Sequence, residues 1–364
     1  MAKIIAITNL KGGVGKTTTA INLSASLGVL EQRVLLIDAD PQSNTTMGLG
    51  MENIEYGLYQ WLANLCKHQQ CIYGNESLYF DVIPTTIDLS KLEVDHKNNL
   101  RDSYYLIKEK LSSIEQNYDY IIIDSPPSLG SILLNILAAC HSVLVTVQCE
   151  YFAFQGLNKL FTVLKSIQKD INPEIDIEGI LITLYNKSIR EHKHIFETIF
   201  EHFEQLTLKT KIPQNIKLAE AAAFGKPIIE YDANSSGAIS YLNLANEIYV
   251  NNTMIVKEAY SATNKTFLKV IEEDIIEDLD FILNIDKRLN ANNRGIQTKN
   301  YDGLINLSKN EVKIKLGQVY NDMNSDVWMY RISKKFSFLK KNFLYVHFEN
   351  NKVVSFSLKK FKVS

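Results

Sequence analysis

The stretch NLKGGVGKTTTA, Asn9 to Ala20, places a glycine-rich turn between an apolar run and a helical pattern, and it holds two lysines. Gly12, Gly13 and Gly15 allow the backbone to wrap closely enough for several N–H groups to face phosphate oxygens. The helix predicted from about Thr17 adds the positive end of its dipole. In such a loop Lys16 reaches the β- and γ-phosphates of a nucleotide, and the Thr17 hydroxyl can ligate Mg²⁺. Lys11 has no role in that scheme: read alone, it is either a solvated loop lysine or a second cation for the phosphates. The general pattern G-x-x-x-x-G-K-T asks for glycine where this chain has Leu10.

Two more stretches end in carboxylates. LLIDADPQSN puts Asp38 and Asp40 at the carboxyl end of one strand, and DYIIIDSPPSLG closes another with Asp124. One aspartate ending a strand often does no more than cap the next helix. Two beside a phosphate loop meet the needs of phosphoryl transfer to water, which are carboxylates near Mg²⁺ and a group that orients the attacking water. Pro126, Pro127 and Gly130 then form a stiff turn, a candidate γ-phosphate-sensing switch.

These residues need a scaffold that gathers strand ends. KIIAIT, RVLLID, FDVIP, DYIIID, HSVLVTVQ and IEGILITLYN read as buried strands. Near-continuous apolar runs of this kind suit a parallel sheet covered on both faces. TTTAINLSASLGVLEQ, SILLNILAAC, GLNKLFTVLKSIQKD and HKHIFETIFEHFEQL read as the helices between them. The alternation predicts an α/β fold, a doubly wound, mostly parallel sheet with ligands at the carboxyl ends of its strands.

Length and composition agree. The chain has 364 residues, 46% hydrophobic and 22% charged, enough for a sizeable core and more than one domain. A net charge of −2 argues against a uniformly basic nucleic-acid binder. Cys66, Cys71, Cys140 and Cys149 form no CxxC pair and read as free thiols of a reducing cytoplasm. The N-terminus reads as running straight into a strand without a signal peptide, and no apolar run is long enough to predict a transmembrane segment.

The pattern changes after Asn252. IEEDIIEDLD, from Ile271, carries six acidic and no basic residues, whereas the 34 residues from Arg331 carry nine Lys/Arg against one Glu. DVWMYRIS, FLYVHF and VVSFSL read as strands, the last two joined by a turn at ENNK. The expected domains are an ATPase domain over 1–252, an acidic helical connector over 253–306 and a small, basic, strand-rich module over 307–364.

KGGVGKTTT resembles the deviant phosphate loop of the ParA/Soj, MinD and nitrogenase-iron-protein superfamily. IPQNIKLAEAAAFGKPIIEYDANSSGAISYLNLANEI, from Ile212, and VQCEYFAFQGLNKL, from Val147, resemble ParA/Soj partition ATPases in particular. The resemblance spans about residues 2–250. It implies an ATPase that binds ATP and Mg²⁺ through Lys11, Gly12, Gly13, Val14, Gly15, Lys16, Thr17 and Thr18. It also implies that Lys11 reaches across a homodimer to the partner's phosphates, that Asp40 orients water, that Asp38 supports the metal and that Asp124 contacts it through water. Pro213 and Asn215 become candidates for contact with the adenine. The implied partners are non-specific double-stranded DNA and a ParB/Spo0J-type partition protein, and the implied location is cytoplasmic and nucleoid-associated.

The sequence departs from the family at LYNKS, Leu184 to Ser188, where members often read MYDAR, and at Gln214, where they often carry arginine. Arg190, Lys193, Lys209, Lys211, Lys217 and Lys226 are the cations that could still grip DNA phosphates, or they form an ordinary solvated face. The other readings are a MinD-like membrane-positioning ATPase, an iron–sulfur reductase and a non-enzymatic interaction protein. They call respectively for a C-terminal amphipathic helix, a shared cysteine pair and an inactive site. Of these, the MinD-like reading is the alternative kept.

Overall fold

The apolar runs lie side by side as parallel strands in the computed structural model, which describes residues 1–75, 79–92, 102–253, 327–331, 340–349 and 352–362. The chain divides into two units, Met1–Ile275 and Ile276–Ser364.

The first unit is built on eight strands: β1 (Lys3–Thr8), β2 (Val34–Asp38), β3 (Tyr73–Asn75), β4 (Phe80–Ile83), β5 (Tyr120–Asp124), β6 (Ser142–Gln148), β7 (Asp176–Tyr185) and β8 (Thr207–Pro213). Their order is β3-β4-β2-β5-β1-β6-β7-β8, and only the β3–β4 pairing is antiparallel. β3 and β8 were not among the strands read from sequence. Both lie at sheet edges, where a three-residue strand and the lysine-bearing TLKTKIP carry too little apolar signal to stand out.

Alternate residues of the central strands feed two hydrophobic layers. Ile4, Ala6, Leu35, Ile37, Ile121 and Ile123 pack into one layer with the helices Ser131–Ala139 and Ala153–Asp170. Ile5, Ile7, Leu36 and Ile122 pack into the other with helix α1 (Lys16–Val29) and the helix Ser236–Thr253. Two-sided burial is why these strands read as unbroken apolar runs.

At the amino ends of the strands, buried Glu178 gathers Lys3 at 3.2 Å, Ser142 Oγ at 2.5 Å and Asn252 Nδ2 at 2.6 Å. Through Asn252, the helix Ser236–Thr253 therefore reaches the edge opposite the phosphate loop.

In the second unit β9 (Val327–Arg331), β10 (Lys340–Glu349) and β11 (Lys352–Lys362) form an antiparallel sheet in the order β11-β10-β9. All three coincide with the runs read as strands, and Glu349 lies opposite Lys352, as a turn at ENNK requires. The acidic connector expected over 253–306 lies outside the described residues from position 254 onward.

Candidate nucleotide and metal site

The loop leaves β1 at Thr8 and enters α1 at Lys16. Gly13 and Gly15 hold left-handed φ values of +75° and +82°, which side-chain-bearing residues rarely adopt. Around Gly12 and Gly13 there is open space where a Cβ would stand, so a bulky anion can approach the backbone there. The first turn of α1 has N–H groups with no helical partner, the usual anion-binding arrangement.

Other strands brace the loop. Thr183 Oγ1, near the end of β7, donates to Val14 O at 2.8 Å, and Asn9 Nδ2 donates to Thr146 O of β6 at 2.6 Å. The Asn9 Oδ1 in turn accepts from Lys11 N at 3.0 Å. Lys16 is buried, and its Nζ donates to Lys11 O at 3.1 Å. Burial lowers the Lys16 pKa, with the charges of Asp124 and Asp40 opposing that shift. Lys11 points elsewhere: its half-exposed Nζ pairs with Glu150, just beyond β6.

Asp38 and Asp124 close the neighbouring strands β2 and β5 at the same register position, and both are fully buried. Burial first, and then the charge of Asp38, push the Asp124 carboxyl up to about 7 despite hydrogen bonds from Thr17 and Thr45. Burial likewise pushes Asp38 up to about 6, against the pull of its hydrogen bonds from Thr46 and the Asp40 backbone. Thr17 Oγ1 and Thr45 Oγ1 each donate to Asp124 Oδ2 at 2.8 Å. The other oxygen, Asp124 Oδ1, is buried with no hydrogen-bond partner.

Asp38 is fully engaged by the segment that follows it. Its Oδ2 accepts from Thr46 N at 2.9 Å and Thr46 Oγ1 at 2.6 Å, and its Oδ1 accepts from Asp40 N at 3.2 Å. Asp40 is buried, and its Oδ1 accepts from Gln42 N at 3.0 Å. An unpartnered buried carboxylate oxygen beside a loop threonine hydroxyl makes a hard-oxygen set that fits a divalent cation. Thr17 and Asp124 are the residues that fit it directly, and Asp38 stands one strand away.

Of the remaining candidates, Pro213, Asn215, Lys209 and Lys211 lie on or just after β8, and Lys226 follows Gly225, which packs against Gly50. Pro213 ends β8, and Asn215 caps the helix Ile216–Ala223, its Oδ1 accepting from Lys217 N at 2.8 Å and its Nδ2 donating to Ser236 Oγ at 2.7 Å. Arg190, Lys193, Lys209 and Lys226 are exposed. Lys193 lies 3.8 Å from Glu197 and Lys217 lies 3.1 Å from Glu220. Lys211 sits over the Phe196 ring, 3.4 Å from its centroid, where burial lowers its pKa. The six cations therefore include two with acidic partners, Lys193 and Lys217, and two over aromatic rings, Lys211 and Lys217, the latter 5.6 Å from the Tyr231 centroid.

Four further residues of the site were not singled out from sequence: Thr45, Thr46, Glu150 and Thr183. The first two sit in the polar run SNTT, which reads as an ordinary loop. The four cysteines are free, and no helix among the described residues is long and apolar enough to cross a membrane.

Known proteins share this architecture. A family model described as an AAA domain matches residues 2–177. The chain is 44% identical over 253 residues to the sporulation initiation inhibitor protein Soj of Bacillus subtilis, a match covering 69% of this chain and all of that protein. It is 42% identical over 255 residues to the chromosome partitioning protein ParA of Myxococcus xanthus, covering 70% and 90% of the two chains. Among solved structures, cobyrinic acid a,c-diamide synthase from Mycobacterium smegmatis with bound ATP analogue and magnesium superposes with a TM-score of 0.61. That structure is 28% identical, and the match covers 70% of this chain and 97% of the other.

Proposed function

Because the chain belongs to the Soj/ParA family of chromosome-partitioning ATPases, we propose that it is a nucleotide-driven partition switch, which hydrolyses ATP to ADP and phosphate. The observation that carries this reading is the unpartnered, buried Asp124 Oδ1 beside Thr17, at the mouth of a loop whose glycines leave room for phosphate.

In this reading the residues divide the work. The backbone from Gly12 to Thr18 and the Lys16 ammonium bind the phosphates, and Thr17 and Asp124 hold the metal region with Asp38 in support. Bound Mg²⁺ supplies positive charge to the phosphoryl oxygens during transfer. Asp40 orients the attacking water, and its place beside Asp38 keeps it within the same buried cluster. Lys11 exchanges Glu150 for the phosphates of a second subunit, which ties homodimer formation to the bound triphosphate. Pro213 and Asn215 border the adenine.

The dimer then grips duplex DNA without sequence preference through cations drawn from Arg190, Lys193, Lys209, Lys211, Lys217 and Lys226. A ParB-type partner stimulates hydrolysis and release, and the protein works on the nucleoid in the cytoplasm.

The experiment is binding to non-specific duplex DNA across a salt series, with ATP and with ADP, for wild type and Asp40→Ala. Binding that requires ATP, persists in Asp40→Ala and weakens by about 10³–10⁵ between roughly 50 and 200 mM salt supports the switch. Loss of DNA binding with both nucleotides, while ATP is still hydrolysed, removes the DNA step. Capture by anionic liposomes in its place returns the MinD-like alternative.

A further inference from the structure

Two consecutive threonines hold two different buried carboxylates. Thr45 and Thr46 lie on the short helix Asn44–Gly48, and both are buried. Thr45 Oγ1 donates to Asp124 Oδ2 at 2.8 Å, while Thr46 donates twice to Asp38 Oδ2, from its N at 2.9 Å and its Oγ1 at 2.6 Å. Thr46 Oγ1 also accepts from Thr85 N, beyond β4, at 3.0 Å. The segment between Asp38 and Thr46 is thus closed on Asp38 at both ends, because Asp40 N donates to the other Asp38 oxygen. Asp40 rides on this closed segment.

The two threonines differ in what they meet. Thr46 N and Oγ1 make three bonds, two to Asp38 and one from Thr85 N, and none to Asp124, so it is a fixed anchor. The Thr45 side chain makes one bond, to the same Asp124 oxygen that Thr17 uses. A cation drawn to Asp124 withdraws charge from that carboxylate and weakens it as an acceptor, and the one donor from the Asp40 segment is Thr45.

We propose that Thr45 is a positioning residue that couples occupancy of the metal site to the placement of Asp40, with Thr46 as the fixed anchor of the same segment. The inference rests on the Mg²⁺·ATP reading above. It predicts that metal-bound and metal-free states differ in the freedom of residues 40–50, and that the Thr45 hydroxyl competes with the metal for Asp124.

The test measures the Mg²⁺ midpoint for binding a non-hydrolysable ATP analogue, together with amide hydrogen exchange of residues 40–50, in the full-length protein. In wild type, exchange in this segment should change when Mg²⁺ is added to the analogue complex. In Thr45→Val the midpoint should fall about tenfold, equal to about 1.4 kcal/mol, which is near the low end for a hydrogen bond to a charged group. The exchange response to Mg²⁺ should be lost. Thr45→Ser should restore both, and Thr46→Val should loosen the segment with and without metal while leaving the midpoint in place. Thr45→Ala serves should Thr45→Val fail to fold. A Thr45→Val protein with the wild-type midpoint and exchange response overturns the inference alone, as does a Thr45→Ser protein that restores neither. A wild-type protein whose nucleotide binding ignores Mg²⁺ overturns the function reading and this inference with it.

Discussion

Asp38 and Asp124 sit directly opposite one another at the ends of two adjacent parallel strands, both without solvent. Two carboxyls so placed resist ionising together, and burial raises both, to about 6 and about 7. The folded, metal-free chain therefore holds protons that the unfolded chain has released. Their stabilising contribution is complete below the unfolded carboxylate pKa, about 4, and is lost as pH rises through the folded values. Melting in the presence of a chelator should fall between about pH 5 and pH 8, and Asp124→Asn should flatten that fall while keeping an acceptor for Thr17 and Thr45. Equal slopes in the two proteins would count against this origin. Mg²⁺ uptake with nucleotide should strengthen over the same range, because the ligand oxygens must be deprotonated.

Lys11 and Glu150 form an exposed pair, each side chain 45% accessible. Such pairs contribute under about 1 kcal/mol, so Lys11→Ala should melt within about 2–4 °C of wild type. Its effect should fall instead on ATP-dependent dimer formation, read by light scattering in the Asp40→Ala background, which lacks the proposed water-orienting carboxylate. A Lys11→Ala protein that still dimerises with ATP would return Lys11 to the role of a solvated loop residue. Glu150→Gln, which frees Lys11 from its partner, should dimerise at least as readily as wild type.

Thr183 fixes the phosphate loop from a strand far away in sequence, through Val14 O. Thr183→Val leaves that buried carbonyl without a donor, a cost of about 1–3 kcal/mol. Part of it should appear as nucleotide affinity weakened by about five- to tenfold in a fluorescent-analogue titration, with Thr183→Ser near wild type. Unchanged affinity in Thr183→Val would show that the loop keeps its shape without this bond.

Gly50 and Gly225 bring two backbones into contact, both at positive φ, +64° and +67°. A Cβ on Gly225 would stand 2.9 Å from Gly50 Cα and 3.0 Å from its N, with only backbone available to yield. Gly225→Ala should cost at least about 2 kcal/mol, a fall of several degrees in melting temperature. The strain should also reach the segment bearing Asp40 and lower ATP hydrolysis. A variant that melts like wild type would mean that the two loops separate at no cost.

Much of this chain is legible in its amino-acid sequence. The phosphate loop declares itself, since three glycines, a lysine and a threonine between a strand and a helix have one common physical use. The six central strands declare themselves too, because burial on both faces leaves unbroken apolar runs. The edges were hidden: TLKTKIP separates its apolar residues with Lys-Thr-Lys, and YGN is too short to carry a pattern.

What the amino-acid sequence determined by itself is the chemistry available: cations, hydroxyls and carboxylates at the ends of predicted strands. What only the tertiary structure decided is which of these groups meet. Thr45 bonds Asp124 across 79 residues and Thr183 bonds Val14 across 169, and no local periodicity encodes either contact. They arise because parallel strands distant in the chain end at one edge of the sheet, where register alone sets neighbours. Asp38 and Asp124 show the division most directly. In sequence each closes a strand and the phosphate loop suggests a shared task, but only the pairing of β2 with β5 sets them at one register position, both buried.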